Sequence, residues 1–322
     1  MFTYLDSPDF LTLSLHLITI TSTPIYCLGI YCILFKTPKP MKSAKWYLLT
    51  LHLWIIIFDI TFNVLVIPYA MFPLPASITC GLLQWLGVSQ EFQNILTLVV
   101  FLYMIVSNVS LYENRFYTLC QFRFKPKWRN LRWFWLATHY IVIFLSYFSL
   151  SLHVPDQREA REWLAPRMTY FPSSYQSLPI VVLAYDYSHF MTVSLPICLI
   201  TSCEVGFFII FLILNTIKQQ KSMTISLKTY QMHRKFFIAL VTQTTVPFLF
   251  LVVPMVGLLF VIYSGYQNQA VINVGMIVVA THGLIATLVM VLVHRPYRLA
   301  VWKLITTDNR ILRKSAKVSA HG

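Results

Sequence analysis

Four side chains capable of acid, base or strong hydrogen-bond chemistry stand inside otherwise apolar runs: Asp59, Asn108, Glu204 and His282. Such groups are costly in hydrocarbon and face protein rather than lipid when a bilayer surrounds them. His52 lies seven residues before Asp59 and Asn63 four after, so the three share one helical face. By position within their runs, the four fall at similar depth. Three chemistries fit: a hydrogen-bonded packing network, a polar switch that changes partners between two states, and an ion or proton path. All three stay open on the residues alone. Enzymatic chemistry has no foothold, because there is no Walker A, GxGxxG, HExxH or GxSxG pattern. The spacing of the six cysteines makes no metal site, and neither metal nor cofactor is expected.

A second set stands where an apolar run ends. No Asp, Glu, Lys or Arg occurs from Phe92 to Tyr112; then come Glu113-Asn114-Arg115 and a basic segment with Arg123, Lys125, Lys127, Arg129 and Arg132. A membrane helix has this pattern as it leaves the bilayer on the cytoplasmic side. Glu113 and Arg115 read either as an interfacial pair anchoring the helix or as part of a surface meeting an intracellular partner. His233-Arg234-Lys235 offers no acid for Arg115, so any resting ion pair is local, most simply with Glu113, or comes from elsewhere. Arg234, Lys235 and Arg295 complete this partner-facing set.

The elements that must position these residues are long apolar segments. Of 322 residues, 57% are hydrophobic and only 11% charged; a soluble domain carries about a quarter charged. The expected fold is all-α, a polytopic membrane protein built as a seven-transmembrane helix bundle. Helices are expected at about 10–36, 46–72, 91–119, 133–153, 189–217, 236–263 and 270–294. The last two share 59 uncharged residues from Phe236 to His294, divided at Ser264-Gly265-Tyr266-Gln267-Asn268-Gln269. The loop 154–188 is expected to be irregular. Leu299, Trp302 and Ile305 recur at helical spacing beside Arg298 and Lys303, which predicts a short amphipathic helix at about 297–305 on the inner leaflet. Residues 306–322 are expected to form a disordered cytoplasmic tail. The whole of 1–305 reads as a single domain.

The formal net charge is +14, and its distribution decides its meaning. Of the 25 Lys and Arg residues, 22 fall in 36–45, 115–132, 218–235 and 295–322, all on one face. This places the N-terminus outside and the C-terminus inside, with anionic lipid at the basic face. Nucleic-acid binding is rejected. In the outward half, Gln93, Asn94, His189 and Asn273 are candidate ligand contacts, although residues of these types in such places are more often structural. With no strong charge there, a small, mostly neutral ligand is expected.

Several motifs stand in order along nearly the whole chain. They are Ser7-Pro8, Tyr31-Cys32-Ile33-Leu34 with Lys36-Thr37-Pro38, Met41-Lys42-Ser43, Leu51-His52-Leu53-Trp54 with Asp59, Glu113-Asn114-Arg115, Pro155-Asp156-Gln157 and His294-Arg295-Pro296-Tyr297-Arg298. In this order and spacing the chain resembles the nematode class H serpentine receptors (Srh). The resemblance implies a G-protein-coupled chemosensory receptor, at the plasma membrane of sensory cilia, acting on a heterotrimeric G protein. The chain departs from the rhodopsin-like pattern at Glu113-Asn114-Arg115, at His294-Arg295-Pro296-Tyr297-Arg298, and in having no loop cysteine to pair with Cys80. A small-molecule transporter or channel is the competing expectation, although seven helices do not divide into an inverted repeat.

Overall fold

A long uncharged run in a bilayer must satisfy every backbone N–H and C=O within itself, and the helix does so. The computed structural model describes residues 2–172, 175, 178–221, 231, 238, 241–242, 245–304 and 306. In it the apolar runs form seven helices long and apolar enough to cross a membrane. These are α1 (Pro8–Lys36), α2 (Lys42–Val66), α3 (Gln90–Leu119), α4 (Lys125–Ser151), α5 (Ser188–Lys221), α6 (Thr245–Ser264) and α7 (Gln269–Val293). A further helix, α8, covers 295–304. The chain is a multi-pass membrane protein with an all-α, seven-helix bundle. Much of the predicted 236–244 segment and the tail from 307 lie outside the described residues.

Local chemistry sets the helix ends. Ser7 caps α1, its Oγ accepting from Phe10 N at 3.2 Å, with Pro8 at the first helical position. Asn268 caps α7 by accepting from Val271 N at 3.2 Å. α6 stops at Gly265, whose φ of 68° is the left-handed conformation glycine adopts without strain.

Three boundaries correct the expectations. The second helix ends at Val66 instead of 72, its last turn widened into a π-helix over Thr61–Val66. Ile67 then turns left-handed at φ 48°, and Pro68–Ala70 becomes strand β1. The fourth helix starts at Lys125 instead of 133, because the basic segment coils into its first two turns. The loop 154–188 is also partly regular. Asp156 caps a short helix, Gln157–Leu164, accepting from Arg158 N at 2.9 Å and Glu159 N at 3.3 Å. Gln157 then clamps strand β3 (Val181–Val182), donating to the Val182 carbonyl and accepting from Val182 N, both at 3.0 Å.

β1, β2 (Ala76–Thr79) and β3 form one antiparallel sheet in that order, with Tyr69 opposite Ile78 and Ser77 opposite Val181. It sits over the end of the bundle where the chain begins, here called the cap end. The opposite end carries the described Lys and Arg residues of 36–45, 115–132, 218–221 and 295–303 and is called the basic end. α3 is the most buried spanning helix and α4 the most peripheral. α1, α2 and α7 approach closely where glycine replaces a side chain. A Cβ on Gly29 would lie 2.6 Å from His52 Nε2 and 2.9 Å from Thr287 Cγ2. Small residues at helix contacts allow this approach in membranes.

Candidate functional site

A cavity of about 60 Å³ lies between α2, α3, α6 and α7. His52 from α2, Asn108 and Tyr112 from α3, and His282 and Thr287 from α7 provide its polar lining. Its α6 wall includes Pro247 and Leu251, and Pro247 immediately precedes a π-helical segment, Phe248–Val252. Widened turns of this kind are common at functional sites. The lining positions lie in the parts of α2, α3 and α7 nearer the basic end.

The structure brings together some of the four polar residues read from sequence and separates others. Asn108 and His282 meet at this cavity, and His282 is 2% exposed with no partner for Nδ1 among the described residues. His52 joins them; its Nε2 donates to the Tyr26 carbonyl at 3.1 Å. Asp59 is buried and held apart from the lining, accepting from Asn63 Nδ2 at 2.9 Å and from Ser22 Oγ at 3.3 Å. Glu204 turns the other way. Its carboxylate accepts from Trp135 Nε1 at 3.1 Å and meets His139 Nε2 at 3.0 Å, tying α5 to α4. Depth placed Glu204 level with the others, while the rotation of α5 points it to a different neighbour.

At the basic end the partner of Glu113 is Arg132, at 2.5 Å, rather than Arg115. The second Glu113 oxygen accepts from Trp128 Nε1 at 2.7 Å. Arg132 also donates to Tyr47 on α2 at 3.1 Å and to Asn114 at 3.4 Å, and its guanidinium lies 4.3 Å from the Tyr117 ring centroid. One buried cation therefore joins α2, α3 and α4. Trp128, Arg132, Trp135 and His139 follow one another at four, three and four residues, one face of α4. Starting the fourth helix at 133 hides half of that face, although the spacing itself is visible in the sequence.

Arg115 is buried on the same turn of α3, and its charge acts on His294 and Tyr297. Tyr297 is fully buried, and its hydroxyl meets Thr37 Oγ1 at 2.7 Å. Thr37 donates its own proton to the Ile33 carbonyl at 2.6 Å, so Tyr297 is the donor between them. Arg295 is exposed. Arg234 and Lys235 lie outside the described residues.

The chain matches the family model described as serpentine type 7TM GPCR chemoreceptor Srh over residues 6–307. The chain belongs to the Srh family. It is also 25% identical over 308 residues, 92% of this chain and 86% of that protein, to serpentine receptor class H-72 of Caenorhabditis elegans. It is thus a receptor of a chemoreceptor class. The Srh resemblance read from sequence holds, and several of its scattered motifs meet in space. Lys36-Thr37-Pro38 touches His294-Arg295-Pro296-Tyr297-Arg298 through the Thr37–Tyr297 pair. Met41-Lys42-Ser43 touches Glu113-Asn114-Arg115 where Asn114 Nδ2 donates to the Ser43 carbonyl at 3.4 Å.

Three of the four outward candidates of this Srh chain, Gln93, Asn94 and Asn273, are hydrogen-bonded at the cap end. Asn94 accepts from Ser77 Oγ at 3.1 Å, and Gln93 Nε2 donates to the Val88 carbonyl at 2.8 Å. Asn273 donates to the Leu5 carbonyl at 2.8 Å and accepts from Gln269 Nε2 at 3.0 Å. His189 is exposed, its ring 4.6 Å from that of His153. The residue that organises the cap end is Asp6, 3% exposed. It accepts from Ala270 N at 2.8 Å, Tyr170 OH at 3.4 Å and Thr3 Oγ1 at 2.7 Å, while Tyr69 OH donates to its carbonyl at 2.7 Å. Burial works to raise its carboxyl pKa, yet the donors from Thr3, Ala270 and Tyr170 together hold it below the ordinary value. All six cysteines are free.

Proposed function

We propose that this chain is a chemosensory receptor that binds a small, mostly neutral molecule and activates a heterotrimeric G protein at its basic end. In this reading the N-terminus and cap lie outside, the basic end lies in the cytoplasm, and the receptor resides in the plasma membrane of sensory cilia. Glu113, Arg115, Arg234, Lys235 and Arg295 face the G protein. Asp59, Asn108 and His282 form the polar switch, with Glu204 holding α4 against α5.

The observation that carries the reading is the cavity at Asn108 and His282, whose wall on α3 includes Tyr112. Tyr112 directly precedes Glu113-Asn114-Arg115, so a change at the cavity has one turn of helix to travel. Two states that differ here would differ at the basic end, and a ligand favouring one would shift the population. Gln93, Asn94 and Asn273 serve the ligand response by fixing the cap on α3 and α7. α8 lies on the inner leaflet, supported by its exposed Leu299, Trp302 and Leu304 beside Arg298 and Lys303.

Energy transfer between a label on the C-terminal tail and a labelled Gα subunit, followed in cells across a panel of small volatiles, tests this. Ligand-dependent recruitment is expected. Ligand-dependent solute flux without G-protein recruitment would replace the reading with a transporter.

A further inference from the structure

The cavity between α2, α3, α6 and α7 bears on which molecule the receptor takes, and the assignment of its occupant rests on the receptor reading. Its volume is about 60 Å³, and a water-sized position takes about 10–15 Å³, so it offers roughly four to six such positions. Drug-sized ligands occupy pockets of about 300–1,000 Å³. Size alone therefore selects very small occupants.

The lining then selects their chemistry. His282 is 2% exposed and its Nδ1 has no hydrogen-bond partner among the described residues, an arrangement a bound polar group would relieve. His52 spends its Nε2 proton on the Tyr26 carbonyl, which leaves Nδ1 as an acceptor. Thr287 donates to the Gly283 carbonyl at 2.9 Å, so its oxygen is also left to accept. Asn108 can both donate and accept. None of the described lining residues carries a formal charge, so an ionic occupant would lose its hydration without a counter-ion. Met104, Leu251 and Met290 make the remainder apolar. An oxygen that donates and accepts, on a short hydrocarbon stem, satisfies this set.

We propose that the cavity is a binding site for a neutral short-chain alcohol of about four to six non-hydrogen atoms. Its oxygen engages His282 and Asn108, and its stem packs against Met104, Leu251 and Met290. Leu251 lies within the π-helical segment of α6, so an occupant presses directly on that widened turn.

Saturation-transfer NMR on the purified full-length receptor in nanodiscs, with 1-propanol through 1-octanol as probes, tests the site. Saturable binding is expected to peak at 1-propanol to 1-pentanol and to fall by 1-octanol, with empty discs as the reference for partitioning. His282→Leu is expected to weaken 1-butanol binding about tenfold. Met290→Phe fills the cavity while keeping its polar groups, and is expected to weaken binding similarly. Thermal unfolding reports whether each variant folds; if His282→Leu does not, Met290→Phe and the chain-length optimum decide. A signal that rises steadily with chain length as in empty discs, or an optimum that survives both substitutions, would overturn the site and leave water as its occupant. Exchange on a G protein driven by ligands indifferent to His282 would overturn the site and keep the receptor reading. The expected binding profile with no exchange on any G protein would do the reverse.

Discussion

Glu113 on α3 meets Arg132 on α4 at 2.5 Å, and both are nearly excluded from solvent. Removing one partner from a buried pair leaves an uncompensated charge, at a cost of about 3–5 kcal/mol. Glu113→Gln and Arg132→Gln are each expected to lower the thermal midpoint in nanodiscs strongly. The double substitution should cost clearly less than the two single losses added. Additive losses would mean that the two groups do not act as a pair.

Trp128 donates its indole N–H to the same carboxylate. Trp128→Phe keeps an aromatic ring at the position and deletes the donor together with the pyrrole half of the indole, so a loss of at least about 1.5–3 kcal/mol, the range for a hydrogen bond to a charged group, is expected. Adding Glu113→Gln to Trp128→Phe should then cost less than it does alone, as a double-mutant cycle would report.

His294 is buried against Met290, and its pKa is pushed down to about 4 by burial, with the Arg115 charge adding to the effect. The unfolded chain therefore binds a proton here at higher pH than the folded one. Stability from neutral His294 is complete above about 6.5 and is lost as pH falls from there toward about 4, by on the order of 3 kcal/mol. His294→Gln should flatten the unfolding midpoint across this window. An unchanged slope in the variant would assign the dependence to another group.

Asp6 has the opposite chemistry. Its carboxyl is held below the ordinary value, so its contribution is present above about 3.9 and disappears as pH falls through the lower folded value. Hydrogen exchange of the segment around Ala270 should stay slow at pH 5 in the native chain. Asp6→Asn should speed it already at pH 5, because the acceptor for Ala270 N is weakened.

The seven runs were legible because charge is nearly excluded from them, Asp59 and Glu204 being the exceptions at their centres, a rule that acts locally along the chain. The cap was not. Nothing near Pro68 in sequence announces that residues 68–70 pair with 77–79, and the pairing overrides the apolar run that extends the second helix to 72. The start of α4 was obscured for a different reason: Lys125, Lys127 and Arg129 look like a loop, yet basic side chains at a helix end reach outward while their backbone stays helical. Site residues were legible by depth and not by partner. Periodicity puts Asp59 beside Asn63 on one face, and they do bond. It does not say which neighbour α5 turns Glu204 toward, nor that Arg132 supersedes Arg115 at Glu113.

Nucleotide exchange on purified heterotrimeric G proteins tests the central claim most directly. Receptor in nanodiscs is expected to raise the exchange rate of at least one G-protein class above that of empty discs. Arg115→Ala, which removes one of the two buried arginines at the basic end, is expected to return that rate to the empty-disc value while the receptor still unfolds cooperatively. A folded native receptor that leaves every class at the empty-disc rate, with and without the short-chain alcohols, would contradict the account.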